Sequence, residues 1–418
     1  MADVQPLRAL HYDPAVAGEI ADLVAPPYDV IDAEHRARLA GRSSHNVVEV
    51  DLPQAANGGD PYEHAAELFS AWQAEGAVVR DDEPALWALR QDYTGPDGRT
   101  LSREGFFCRI RVEDYGPGRI RPHERTHPGP KEDRLRLTRA TRANMSPIFV
   151  LHPGPTLVRG DGEPFADVTD EDGTRHRLWR VDDPDRIRDV QSALADAELL
   201  IADGHHRYET ARVYADEIGT EDGPHRYVLA CLVALEDPGL TVFPTHRLVK
   251  ETTPQQQEGL ANALRRDFDI EDVERDAIAP EPGDGGSATY GYIDAHFKRP
   301  FRLALKDQRI ADEALPDMPE PYRRLDAAVL EALLLKGPLE LTDDDISHLH
   351  RFGYARDTAQ ALELVESGQF DLAFLLRATP VEQVREVAAS GASMPPKSTY
   401  FFPKLLTGLL FNPLADDE

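Results

Sequence analysis

The sequence predicts a mixed α/β fold, and three stretches carry that expectation. "LLIADGHHRYETARVYADEIG" changes from an apolar, strand-like run to a helical pattern at Asp203-Gly204. "ALWALRQDY" and "GFFCRIRV" alternate like strands joined by the turn residues "TGPDG". "FDLAFLLRA" followed by "VEQVREVAASG" repeats the succession of strand and helix near the C-terminus.

The remaining elements follow in order. "APPYDVI", Ala25 to Ile31, is expected to be a rigid extended turn because two prolines fix its backbone. "HNVVEVDLP" reads as a strand, and "PYEHAAELFSAWQAEG" sets Ala65, Leu68, Phe69 and Trp72 on one helical face before stopping at Gly76. Residues 153–186, rich in turn formers around short strands, read as a hairpin insertion. "HRYVLACLVALED" is apolar enough for a central strand. Polar "KETTPQQQEG", near residue 250, marks a boundary before a helix through Asn262, Leu264 and Phe268. The loop "APEPGDGGSATYG" then leads into strands at "TYGYIDAH" and "PFRLALK", and "DTAQALELVESG" is amphipathic. Three regions are expected: an N-terminal α/β region at 1–110, a core at 111–250 and a C-terminal α/β domain at 251–418.

Composition bounds the function. The chain has 418 residues, and 75 acidic against 46 basic residues give a net charge of −29, with only seven Lys among the cations. That surplus, with Arg preferred over Lys, suits a halophilic cytoplasm in which strong screening makes self-repulsion tolerable. It makes nucleic acid an unexpected partner, because Lys and Arg supply non-specific phosphate affinity. Cys108 and Cys231, the only cysteines, exclude a disulfide framework or a cysteine-rich zinc module. Neither a secretion signal nor a membrane-length apolar run is seen, so a cytoplasmic location is expected.

Two constellations carry chemistry. "RPHERTHPGPKEDRLRLTRATR" contains His123-Glu124-Arg-Thr-His127, the H-E-x-x-H text of zinc proteases. The required helix would be a single turn between Pro122 and Pro128-Gly129-Pro130, so no zinc is expected. Charge is the better clue: from Arg119 to Arg142 eight basic residues stand against Glu124, Glu132 and Asp133, and eight minus three is +5. Clustered Arg and Lys around a Pro- and Gly-rich loop suit phosphate capture, while the plain alternative is a solvated helix with acids at its start and arginines later. The second constellation, Asp203-Gly204-His205-His206-Arg207, lies between strand and helix, where free N–H groups favour anions. Asp203 could cap the helix or hold Mg²⁺ through water. "GASMPPKS" has P-loop spacing but puts Pro396 at the second Gly, and proline has no N–H for a phosphate, although Lys397 and Lys404 remain candidates for a site.

These residues carry a resemblance. "APPYDVI", "HNVVEVDLP", "PHERTHPGPKEDRLRLTRATRANMSPIF", "IADGHHRYETA" and "PPKSTYFFPKLLTGL" resemble the recurring blocks of the bacterial and archaeal domain-of-unknown-function family 1015. The "PHE" and "DGHHR" boxes are in turn similar to the free-serine kinases of the ParB/sulfiredoxin superfold, which phosphorylate L-serine using ADP or ATP. The resemblance implies a ParB/sulfiredoxin-like, nucleotide-binding core at 111–250 and a phosphotransferase with an alcohol acceptor. Glu124 would be the base, and Asp203, Gly204, His205, His206 and Arg207 the phosphate box, with Mg²⁺ near Asp203. Arg121, His123, Lys131 and Arg134 would surround the phosphates, and Thr245, His246 and Arg247 would hold the substrate. Two readings stay open beside it: a nucleotide-binding regulator without phosphotransfer, and metal-dependent hydrolysis through His123, His127 and the histidine pair. The sequence leaves the acceptor and the oligomeric state undetermined.

Overall fold

The computed structural model describes every residue except 1, 56–57, 96–97, 118, 125, 127, 220, 282–285 and 416–418. The chain forms two units: residues 1–122, 126–241 and 403–418 make the first, and 123–125 with 242–402 the second.

The first unit is built on a nine-stranded mixed sheet. Its strands are β1 (Val4–Gln5), β2 (Leu86–Thr94), β3 (Thr100–Arg111), β4 (Ile120–Arg121), β5 (Ile148–His152), β6 (Ala166–Thr169), β7 (Arg175–Val181), β8 (Leu199–Asp203) and β9 (Tyr227–Ala234). They are ordered β4-β8-β5-β9-β3-β2-β7-β6, with β1 also on β3. The apolar run of β9 is buried from Val228 onward because neighbours pair with it on both sides, β3 antiparallel and β5 parallel. Strand β3 runs through residue 110, so the two expected regions on either side of that position share one sheet. Residues 403–418 return to this unit, and the passage into the second falls at Thr241–Val242, shortly before the polar stretch near 250.

Three helices of this unit, each of fourteen residues, carry stretches marked in the sequence. Helix α1 (Pro61–Ala74) is capped by the Asp60 carboxylate and buries Ala65, Phe69 and Trp72. Helix α2 (Pro128–Thr141) starts where the H-E-x-x-H text ends. Helix α3 (His205–Ile218) packs Tyr208, Ala211 and Ala215 against Phe106, Ile148 and Ile201 of the sheet.

Two N-terminal expectations are corrected. "HNVVEVDLP" holds a helical turn, Val48–Asp51, instead of a strand. The Asn46 amide accepts from the Val48 N–H at 3.0 Å and donates to the Asp22 carbonyl at 2.7 Å, so local side-chain bonding overrides the β-preference of valine. In "APPYDVI" the extended Pro27 is followed by a 3₁₀ turn, Tyr28–Val30.

The second unit is a six-stranded sheet with helices on both faces. Its strands are β10 (His246–Val249), β11 (Phe268–Asp272), β12 (Thr289–Asp294), β13 (Phe301–Leu305), β14 (Phe352–Ala355) and β15 (Leu372–Leu375), in the order β11-β13-β12-β15-β10-β14. Alternation along the strands sorts the side chains. Tyr290, Tyr292 and Phe374 meet Leu260 and Leu264 of helix α4 (Pro254–Asp267), whereas Ile293, Ala373 and Leu375 meet Ala361 and Val365 of helix α5 (Thr358–Glu366). Among the described residues no helix is long and apolar enough to cross a membrane.

One buried ion pair ties the first unit together. The Arg134 guanidinium of α2 donates to Asp51 at 3.0 Å, and each side chain is only 5% exposed. Asp133 accepts a second bond from Arg134 at 2.7 Å, and the Tyr28 ring lies 4.3 Å beneath the guanidinium. Burial opposes the Arg134 charge, but Asp51 and Asp133 hold its pKa above the ordinary arginine value. Removing one partner strands a charge in the interior. Asp51→Ala is therefore expected to lower unfolding stability by about 3–5 kcal/mol, and the apolar pair Asp51→Leu/Arg134→Met by less. Tryptophan fluorescence in urea reads this unit alone, because Trp72, Trp87 and Trp179 all belong to it. A double variant no better than the single one would contradict the charge account.

Candidate functional site

In the first unit, β8 ends at Asp203 and α3 begins at His205. Between them Gly204 takes φ 93°, in the left-handed region that favours glycine, and it forms the N-cap in place of Asp203. A β-carbon at Gly204 would also lie 2.9 Å from Ile148 Cγ2 and 3.1 Å from Arg207 Nε. The turn thus requires glycine twice over. Asp203 spends Oδ1 on the Gly204 N–H at 2.8 Å and Oδ2 on Lys404 Nζ at 2.8 Å. Lys404, only weakly marked in the sequence, is the cation of this box. Arg207 donates through one terminal nitrogen to the Pro147 carbonyl, while its buried Nε has no hydrogen-bond partner among the described residues. His205 is buried at the helix start and His206 half-buried.

In the second unit Glu124 forms a lone parallel bridge with Met394. Its Oε1 accepts the Lys397 N–H at 3.1 Å, and Oε2 has no partner among the described residues. Lys397 has φ 55°, a left-handed conformation that costs a non-glycine residue about 1–2 kcal/mol. Arg247 holds the loop from inside. It is buried, stacks 4.8 Å over Tyr354, and donates to the carbonyls of Thr245 (2.7 Å), Pro396 and Lys397 (both 3.2 Å). Glu124 and the Thr245–Arg247 motif are thus brought to one loop, Pro395–Thr399, which lies across the failed P-loop text and the "PPKSTYFFPKLLTGL" block. His123 is fully buried, with Nε2 2.8 Å from Thr399 Oγ1, so it pins this loop instead of meeting a phosphate.

Several expected phosphate ligands are otherwise engaged. Arg121 donates to Glu198 at 3.0 Å and Arg134 is the buried partner of Asp51. Arg136 and Arg139 pair with Asp60 and Glu217. The local +5 is therefore cancelled largely by carboxylates distant in sequence. Lys131, in the first turn of α2, is half-buried. His127 and Arg125 lie outside the described residues. Among the described residues no three His, Cys, Asp or Glu side chains form a metal-ligating cluster.

His246, expected beside the substrate, lies in the core. It is 1% exposed on a strand paired on both sides, and Nδ1 accepts the Leu376 N–H at 3.1 Å. Burial, with Arg247 adding to it, pulls its pKa down from 6.5 to about 4. The unfolded chain then binds the extra proton, so this stability is present above pH 6.5 and is lost as pH falls toward 4. On the order of 3 kcal/mol is at stake. His246→Asn keeps an acceptor for Leu376 and cannot titrate. The stability gap between wild type and variant, from urea unfolding by far-UV circular dichroism, is expected to move by that amount against wild type between pH 7 and pH 4. A pH-independent gap would refute the assignment.

The chain resembles several solved structures at low identity. A conserved hypothetical protein from Pyrococcus furiosus is 16% identical, with a TM-score of 0.37 over 72% of this chain and 95% of that one. A free serine kinase in complex with AMP is 14% identical, with a TM-score of 0.38 over 72% and 92%. SbnI from Staphylococcus aureus is 11% identical, with a TM-score of 0.37 over 75% and 90%. No curated protein matches the chain. The model of DUF1015, described as a protein of unknown function, matches residues 4–328, more than half of the sequence, and the chain belongs to that family.

Proposed function

We propose that the protein is a small-molecule kinase that transfers a phosphoryl group from ATP or ADP to the hydroxyl of free L-serine or a similar metabolite. The observation that carries this reading is the Asp203–Arg207 box. Its left-handed Gly204 opens a fourteen-residue helix, Lys404 stands at Asp203, and a buried Arg207 Nε lacks an acceptor. Backbone N–H groups, a lysine and an uncompensated guanidinium donor form an environment for phosphate oxygens. The "DGHHR" and "PHE" resemblance supports the same chemistry.

In the transfer, the acceptor hydroxyl oxygen bonds to the terminal phosphorus while the bond from phosphorus to the nucleotide oxygen breaks. The hydroxyl proton goes to Glu124, whose Oε2 is available while Oε1 is held by Lys397. Thr245 remains the substrate contact, with Arg247 fixing its backbone. Lys131 and His206 belong with the phosphates, and buried His205 orients the helix start. Mg²⁺ would supply charge neutralisation when bound with the nucleotide. Both Asp203 oxygens are already used, so Lys404 supplies the positive charge where a metal carboxylate was expected.

Phosphorus NMR in concentrated KCl, with Mg²⁺, ATP or ADP and L-serine or a pool of hydroxyl metabolites, tests the reading. A growing phosphomonoester signal is expected. Glu124→Gln should slow it by about 10²–10⁴-fold while leaving nucleotide affinity intact. Lys404→Ala should weaken nucleotide binding. Nucleotide bound with no product in any tube would reject the kinase in favour of a regulator.

A further inference from the structure

The second unit contains a cavity of about 600 Å³, within the range that encloses a metabolite. It lies wholly within that unit, on the α4 face of the sheet, and shares no lining residue with the Glu124 loop. Leu260 and Leu264 of α4 form one wall, and Tyr292, Phe301 and Leu303 line the sheet side. Phe297 also lines it although 68% exposed, the most exposed large hydrophobic side chain among the described residues. Its backbone is held in place: Asp294 Oδ1 accepts the N–H groups of His296 at 3.0 Å and Phe297 at 2.7 Å, and the Asp294 carbonyl accepts that of Lys298 at 2.9 Å. Phe297 thus offers an exposed apolar ring to whatever enters the cavity.

The polar groups decide which ligand. Two carboxylates, Asp294 and Asp371, line the cavity. Asp294 is 9% exposed and serves the turn, whereas Asp371 uses only Oδ2, which accepts from the Thr252 N–H at 2.7 Å and hydroxyl at 2.8 Å. Asp371 Oδ1 has no partner among the described residues. The lining cations are Arg265 and Arg299, both exposed, and the exposed His296 imidazole also lines the cavity. Arg265 is held by Asn262 at 3.0 Å, and Arg299 by Asp272 at 2.5 Å while lying 5.8 Å from the Phe301 ring. Arg299 already covers the Phe301 ring, so what remains is the rings of Tyr292 and Phe297 and the second carboxylate oxygen of Asp371. Ring faces and a carboxylate both attract an ammonium group, and the aliphatic wall takes an apolar body.

We propose that this cavity is a binding site for an amine, a small organic cation with an aromatic or branched aliphatic body. The site is independent of the kinase reading. Calorimetric titration of the full chain with phenethylamine tests it, with phenethyl alcohol and hydrocinnamate as the neutral and anionic analogues. The amine is expected to bind at least about tenfold more tightly than either, and Asp371→Asn to reduce its affinity about tenfold while retaining an acceptor for Thr252. Ala261→Phe, at a partly exposed position of the helix wall, should fill the cavity and abolish binding, whereas Glu124→Gln should leave binding unchanged. No saturable binding at millimolar amine, equal binding of the alcohol, preference for the carboxylate, or insensitivity to both Asp371→Asn and Ala261→Phe would each overturn the proposal.

Discussion

The Asp51–Arg134 ion pair is the constraint on which the first unit depends. A guanidinium buried to 5% exposure must have its carboxylate, so the turn Val48–Asp51 has to sit where α2 brings Arg134. That turn is held by Asn46 to the Asp22 carbonyl, and Ser146 bridges from Asp51 to Thr407 in the C-terminal tail. Helix α2 in turn meets α3: Thr210 donates to the Lys131 carbonyl at 3.4 Å, and Leu135 packs with Tyr214. The position of α3 sets the Gly204 turn at its start. Five separated blocks of sequence are thereby fixed around one charge, and the Asp203–Arg207 turn inherits its geometry from it.

The elements that were legible in the sequence announce themselves locally. Leu199–Ile218 reads correctly because the apolar run ends in Asp-Gly, and only a glycine at φ 93° turns the chain from strand to helix there. Tyr227–Ala234 reads correctly because a strand paired on both sides needs no polar face. The misread elements depend on particular side-chain partners. Val47, Val48 and Val50 favour a strand by type, but Asn46 and the buried core make a helical turn of them. The arginines around α2 read as a phosphate cluster because Asp51, Asp60, Glu198 and Glu217 lie 76–83 residues away. A count of charge in a window cannot include them. The Glu124 loop was legible only as separate fragments, "PHE", "GASMPPKS" and Thr245–Arg247. The buried arginine that joins them bonds to carbonyls of Pro396 and Lys397, which any sequence would supply.

Charge in this chain is informative where it fails to cancel. A net charge of −29 repels an anionic ligand over the surface as a whole, and concentrated salt screens that field beyond a few ångströms. The arginines around α2 already hold carboxylates, Arg139 with both oxygens of Glu217. Lysine behaves differently. Its ammonium is a point charge on a flexible stem with three donors, one of which Lys404 gives to Asp203 at 2.8 Å. In a protein with seven lysines, placing one at the end of β8 uses the residue whose charge is least bound to a single geometry. Replacing it with arginine would preserve the charge and lose that freedom.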